Sequence, residues 1–106
     1  MGVSMQIAYF GFAGSPSLEA EAAAQLVRIE RFSPLVSDCH LAIEAMRGAL
    51  GIAMYGARLD LVIGASELRP LPHCTSSTPE DAVRDAFDRA ERELLDMYRR
   101  AADTHH

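Results

Sequence analysis

The chain has 106 residues, 49% of them hydrophobic, which is enough apolar material for one core and too little length for two domains. Its cations are ten arginines and no lysine against fifteen carboxylates, a net charge of −5 that works against non-specific nucleic-acid binding, where affinity scales with the phosphates neutralised. No run approaches the roughly eighteen apolar residues of a membrane span, and Gly2 to Gln6 lacks the basic start of a signal peptide, so a cytoplasmic protein with no membrane partner is expected.

Met5 to Phe12 reads as a first strand, with Ile7, Tyr9, Phe10 and Phe12 as β-formers and Gly11 weakening the far end. Ser15 as cap and Pro16 in the first turn then open a helix from about Ser17 to Phe32, which Pro34 prevents from continuing. Leu18, Ala22, Leu26 (or Gln25) and Ile29 mark its buried side, and Phe32 helps to close it. From Cys39 to Ala45, and again from Tyr55 to Ile63, apolar residues alternate with the rest at the period of half-buried strands. The connection Met46 to Met54 is the tip of a long hairpin. Its Leu50, Ile52 and Met54 form a candidate self-association surface, unless the tip folds back over the open sheet face. Pro70 and Pro72 each remove a ladder donor, so Leu68 to Cys74 reads as a poor strand and, if a strand, one that belongs on an edge.

Thr78 and Pro79 open the last helix, with Glu80 and Asp81 complementing the positive end of its dipole. Val83, Phe87, Ala90, Leu94, Met97 and Ala101 follow at alternating steps of four and three, one apolar stripe that must dock on something. Arg84, Arg89, Arg92, Arg99 and Arg100 lie off that stripe. The bland reading of them is a solvated face, with Asp85–Arg89, Asp88–Arg92 and Asp96–Arg100 as carboxylate-first i,i+4 pairs; the sharper one is contact with a polyanion.

The expected fold is therefore α+β, a two-layer β-α-β-β-β-α domain over residues 5–102 with flexible ends at 1–4 and 103–106. Its four-stranded mixed sheet has order 1-2-3-4, with a parallel first pair and both helices on one face. The other face carries His40, Glu44, Arg58 and Asp60, with an Arg58–Glu44 cross-strand pair. Cys39 and Cys74 are expected to be reduced, buried and inert. Cys39-His40 and His73-Cys74 lack the spacing of a metal site, so no metal is assigned, and His105-His106 reads as a tail. No nucleophile constellation stands out, and the glycines at 48, 51, 56 and 64 form no phosphate loop, so neither an enzyme nor a cofactor is expected.

Several phrases occur together in order: Met5-Gln6-Ile7, Ser15-Pro16-Ser17-Leu18-Glu19, Ile29-Glu30-Arg31-Phe32, Cys39-His40-Leu41-Ala42-Ile43-Glu44, Arg58-Leu59-Asp60-Leu61 and Glu80-Asp81-Ala82-Val83-Arg84-Asp85-Ala86-Phe87-Asp88. With Arg92-Glu93-Leu94 and Arg99-Arg100 they resemble the ribosome hibernation-promoting factor family, also called ribosome-associated inhibitors or sigma-54 modulation proteins, in its short single-domain form. The resemblance implies binding to the small ribosomal subunit in the decoding channel, contact with ribosomal RNA, and repression of translation under stress or in stationary phase. By position it implies RNA contact at Arg28, Arg31, Arg84, Arg89, Arg92, Arg99 and Arg100, as forked guanidinium–phosphate contacts that position without reading sequence. Seven such contacts correspond to a log–log salt slope of about −6.

This chain departs from the family's pattern where Glu91 and Glu93 replace an expected arginine and glutamine, and where Glu19 to Gln25 carries no positive charge. Over 79–100, seven carboxylates face the five arginines. The alternative is a non-enzymatic interaction or dimerisation module on the same scaffold that has lost ribosome binding, with a homodimer formed through the Met46–Met54 hairpin.

Overall fold

A computed structural model describes residues 2–103; Met1 and the tail residues 104–106, including His105 and His106, lie outside the described residues. The elements are β1 (Ser4–Phe10), α1 (Pro16–Glu30), β2 (Val36–Arg47), β3 (Ala53–Ile63), β4 (Glu67–Arg69), β5 (Cys74–Ser76) and α2 (Pro79–Asp103). The sheet runs β1-β2-β3-β4, β1 and β2 parallel and the rest antiparallel, in the mixed order expected. Inward residues of the central strands face one another, Leu41 opposite Leu59 and Ile43 opposite Ala57. They form one core with Leu18, Ala22 and Ile29 of α1 and with Val83, Phe87, Ala90 and Leu94 of α2, so both helices cover the same face.

The caps follow from local chemistry. Ser15 Oγ accepts the Leu18 N–H at 3.2 Å, and Thr78 Oγ1 accepts the Asp81 N–H at 3.2 Å, each satisfying a donor the helix start leaves orphaned. Toward the far end of α2 the apolar stripe becomes less buried. Met97 is half-buried and Ala101 is exposed, because 25 residues span about 37 Å and the last turns pass beyond the core.

Four details differ from the sequence reading. Gly11, at φ 84, ends β1 at Phe10, and Phe12 leaves the ladder to pack its ring edge-on against Tyr9 and Tyr55, 5.5 Å from each. At the other end, Ser4 belongs to β1, and Val3 is buried with its N–H donating to Glu30 Oε2 at 2.8 Å. The edge strand expected over 68–74 is two short strands. Pro70 and Pro72 take out donors at its centre, leaving β4 paired with Leu61–Ile63 and β5 with Tyr55–Ala57. Across the gap between them, buried Asp60 accepts the Leu71 N–H through Oδ1 at 3.2 Å, a side chain replacing a ladder bond.

The fourth difference lies on the open face. Arg58 stands opposite Ala42, not Glu44, and its Nε approaches Asp60 Oδ2 at 3.3 Å without hydrogen-bond geometry, so the expected Arg58–Glu44 pair does not form. The hairpin tip does not fold back over this face: Leu50 is 96% exposed and Ile52 59%, while Met54 is half-buried in β3. Cys39 is fully buried, and burial pushes its thiol up to about 12, beyond reach of ordinary thiolate chemistry. Cys74 is only half-buried, because β5 lies at the sheet's edge.

Candidate nucleic-acid interface

The seven arginines singled out by the resemblance divide into two groups. Arg28, Arg31 and Arg84 meet carboxylates where α1 and α2 lie side by side. Arg28 Nη2 reaches Glu91 Oε1 at 2.6 Å and Asp88 Oδ1 at 2.7 Å, and its Nη1 donates to Gln25 at 2.8 Å. Arg31 Nη2 reaches the other oxygen of Glu91 at 2.9 Å, with its guanidinium 4.8 Å above the Phe32 ring. Arg84 bridges Asp81 at 2.7 Å and Glu21 at 3.0 Å. The hydrogen bond to Glu91 raises the Arg28 guanidinium above its ordinary value, and that from Arg84 holds the Glu21 carboxyl below the usual carboxylate range.

Arg89, Arg92, Arg99 and Arg100 form the second group. All are exposed, and none has a carboxylate within ion-pair distance among the described residues. Their spacing of three, seven and one brings them into one arc of about 100° along α2, in which Arg89 and Arg92 border residues 71–75. The i,i+4 pairs expected for this helix are not formed. Asp88 turns toward α1 and holds Arg28, while Asp85 and Asp96 stay in solvent, where an ion pair gains little over hydration. The stripe therefore carries four cations and three anions, Asp85, Asp96 and Asp103, a local excess of one positive charge within an acidic chain.

Two hollows flank it. One, of about 260 Å³, lies between Leu71-Pro72 and Arg89, Arg92, Glu93 and Asp96. The other, of about 280 Å³, lies between His73-Cys74-Thr75 and Asp85, Asp88, Arg89 and Arg92. Both are walled by the β4–β5 connection, so the Asp60–Leu71 bond holds one side of the surface on which the free arginines stand. Arg69, at the end of β4, was passed over by the sequence reading; it lies 3.5 Å from Glu93 and 3.7 Å from Glu67, so it matches the Glu93 charge and adds no free cation. Its position became meaningful only once the proline-interrupted segment was seen to run along α2. Among the described residues no group of three His, Cys, Asp or Glu side chains is placed to hold a metal ion.

Two helices packed on one face of a mixed β-α-β-β-β-α sheet, with a basic stripe on the second helix, define the class of domain. No family model and no curated protein matches the chain. Among solved structures it is similar to a ribosomal subunit interface protein from Coxiella burnetii, at a TM-score of 0.73 and 16% identity over 91% of this chain and 98% of that one. It is also similar to the Protein Y N-terminal domain of Thermus thermophilus, at a TM-score of 0.61 and 13% identity over 89% of this chain and 96% of that one. The chain thus has the fold of ribosomal subunit interface proteins, the fold that its resemblance to hibernation-promoting factors implies.

Proposed function

We propose that the chain binds the small ribosomal subunit in the decoding channel, through ribosomal RNA, and represses translation without catalysing a reaction. Its place of action is then the cytoplasm. The observation that carries this reading is the stripe of Arg89, Arg92, Arg99 and Arg100, exposed and unpaired among the described residues, on a fold shared with a ribosomal subunit interface protein. Guanidinium groups so placed suit forked contacts with phosphate oxygens. With Arg28, Arg31 and Arg84 already neutralised by carboxylates, four arginines remain to engage phosphates, for a salt slope of roughly −3 to −4 instead of −6. Co-sedimentation with purified small subunits over a salt series tests it: the native chain should pellet at low salt and Arg89→Glu/Arg92→Glu should not. A native chain that stays in the supernatant at every salt concentration overturns the reading.

A second reading rests on the hairpin tip. Leu50 and Ile52 project apolar surface at the end of the β2–β3 hairpin, with Met54 behind them, and this surface suits a second copy of the chain. Sedimentation velocity over a concentration series separates the two readings, since a tip-mediated dimer forms without RNA.

A further inference from the structure

We propose that Glu91 and Asp88 act as an internal phosphate mimic that withholds Arg28 and Arg31 from polyanions and thereby sets how tightly the chain binds RNA. The inference rests on the reading of α2 as an RNA-contacting surface and names the residues that tune it. Both oxygens of Glu91 are in use: one takes Arg28 Nη2 at 2.6 Å, the other Arg31 Nη2 at 2.9 Å. Asp88 adds a second carboxylate to Arg28 at 2.7 Å. The helices thus present two guanidinium groups and two carboxylates as one closed cluster, bridging residues 60 or more positions apart in sequence.

A carboxylate that holds two guanidinium groups occupies the donors a phosphate would otherwise take, because both anions accept the same forked N–H geometry. The cluster is only partly sheltered. The Glu91 side chain is 22% exposed, but Arg31 is 58% exposed and Asp88 49%, so an incoming phosphate can reach the cations from the solvent side. The two arginines are not held equally. Arg31 has Glu91 as its sole carboxylate among the described residues, whereas Arg28 has both Glu91 and Asp88. Opening the cluster therefore proceeds in two steps: loss of Glu91 frees Arg31, and loss of Asp88 as well frees Arg28.

The test uses poly(U) as the polyanion and the full chain, measuring binding across a salt series for native protein, Glu91→Gln and Asp88→Asn/Glu91→Gln. Each freed arginine should steepen the log–log slope by about 0.7, the single-strand increment per phosphate, so the double variant loses roughly sevenfold more affinity than native between 50 and 200 mM salt. Glu19→Gln/Glu44→Gln makes the same charge change at carboxylates that hold no arginine; it should shift affinity without changing slope. Adding Arg28→Gln/Arg31→Gln to the opened variant should return the native slope, and circular dichroism on each variant shows that the helices remain folded. A slope in the opened variant equal to that of native or of the charge-matched control overturns the proposal, as does absence of poly(U) binding by the opened variant at the lowest salt. If the slope steepens as expected while no variant pellets with small subunits, the cluster's role stands and the ribosomal reading falls.

Discussion

Asp60→Ala is the most informative single change to the frame that holds the arginine surface. Asp60 is 8% exposed, and its Oδ1 accepts the Leu71 N–H at 3.2 Å. Within Pro70-Leu71-Pro72 that N–H is the only backbone donor, and Leu71 is itself buried, so removal of the carboxylate strands it. A hydrogen bond to a charged acceptor contributes about 1.5–3 kcal/mol, and a buried donor left unpaired costs about 1–3 kcal/mol, two descriptions of one loss that are not summed. The Arg58 contact at 3.3 Å adds less than about 1 kcal/mol, since Arg58 is 41% exposed and solvent screens it. The alanine variant should therefore lose about 2 kcal/mol. In urea, where m is about 1–3 kcal/mol per molar, that is a drop in midpoint of roughly 1 M at unchanged m. Asp60→Asn keeps an oxygen that can accept from Leu71 and should cost less than half as much. An alanine variant within about 0.5 kcal/mol of native, or an asparagine variant as damaged as the alanine one, would refute the assignment of Asp60 to the gap between β4 and β5.

Phe87→Ala, at a fully buried ring in the centre of α2, should cost about 3–5 kcal/mol, a large part of the roughly 5–15 kcal/mol that stabilises a domain, and a thermal melt will show it. Leu50 sits at φ 65 with its side chain in solvent, so Leu50→Asn should stabilise by about 0.5–1 kcal/mol through relief of left-handed strain, and the same variant should dissociate any hairpin-mediated dimer in sedimentation velocity. The Glu21 carboxyl, held below its ordinary 4.5 chiefly by the hydrogen bond from Arg84, stabilises the fold above that pH, and this contribution is lost as pH falls through the depressed value. Glu21→Gln should accordingly be less stable than native at pH 7, with the gap in urea midpoint shrinking steadily below pH 4.5; a gap independent of pH would remove the Glu21–Arg84 pair from the list of stabilising contacts.

The strands and helices were legible because their signals are local. Leu41 and Ile43 alternate with His40 and Ala42 at the period of a strand, and the steps from Val83 to Leu94 match the turn of a helix. The Ser15 and Thr78 caps were readable for the same reason. Fine structure was lost where two local signals met. The prolines marked an edge strand, but only the fold shows that they cut it in two and that Asp60 fills the interval. Pairing of the arginines across the helix seam was not legible. Asp88 had a sequence neighbour in Arg92, yet it takes Arg28, which comes within 2.7 Å only because α1 and α2 pack together. Glu91 stood out as a departure from the family pattern, but nothing in the order of residues tells that it faces α1.

That packing also resolves the tension between a net charge of −5 and a proposed RNA contact. α2 spends its residues on three sides. One side, from Ala82 to Leu94, is buried in the core; a second, with Arg84, Asp88 and Glu91, closes on α1; the third carries the four unpaired arginines. The acids that α2 turns toward α1 are matched by arginines there, so they add little net field to the third side. At physiological ionic strength charges more than about 8 Å away are largely screened, and a polyanion lying on the stripe senses Arg89, Arg92, Arg99, Arg100, Asp85, Asp96 and Asp103 before it senses the chain as a whole. Total charge is thus the wrong quantity for this molecule. The partition of its arginines between the helix seam and the free stripe sets the number of phosphates it can engage, and the carboxylates at the seam are the residues through which that number can change.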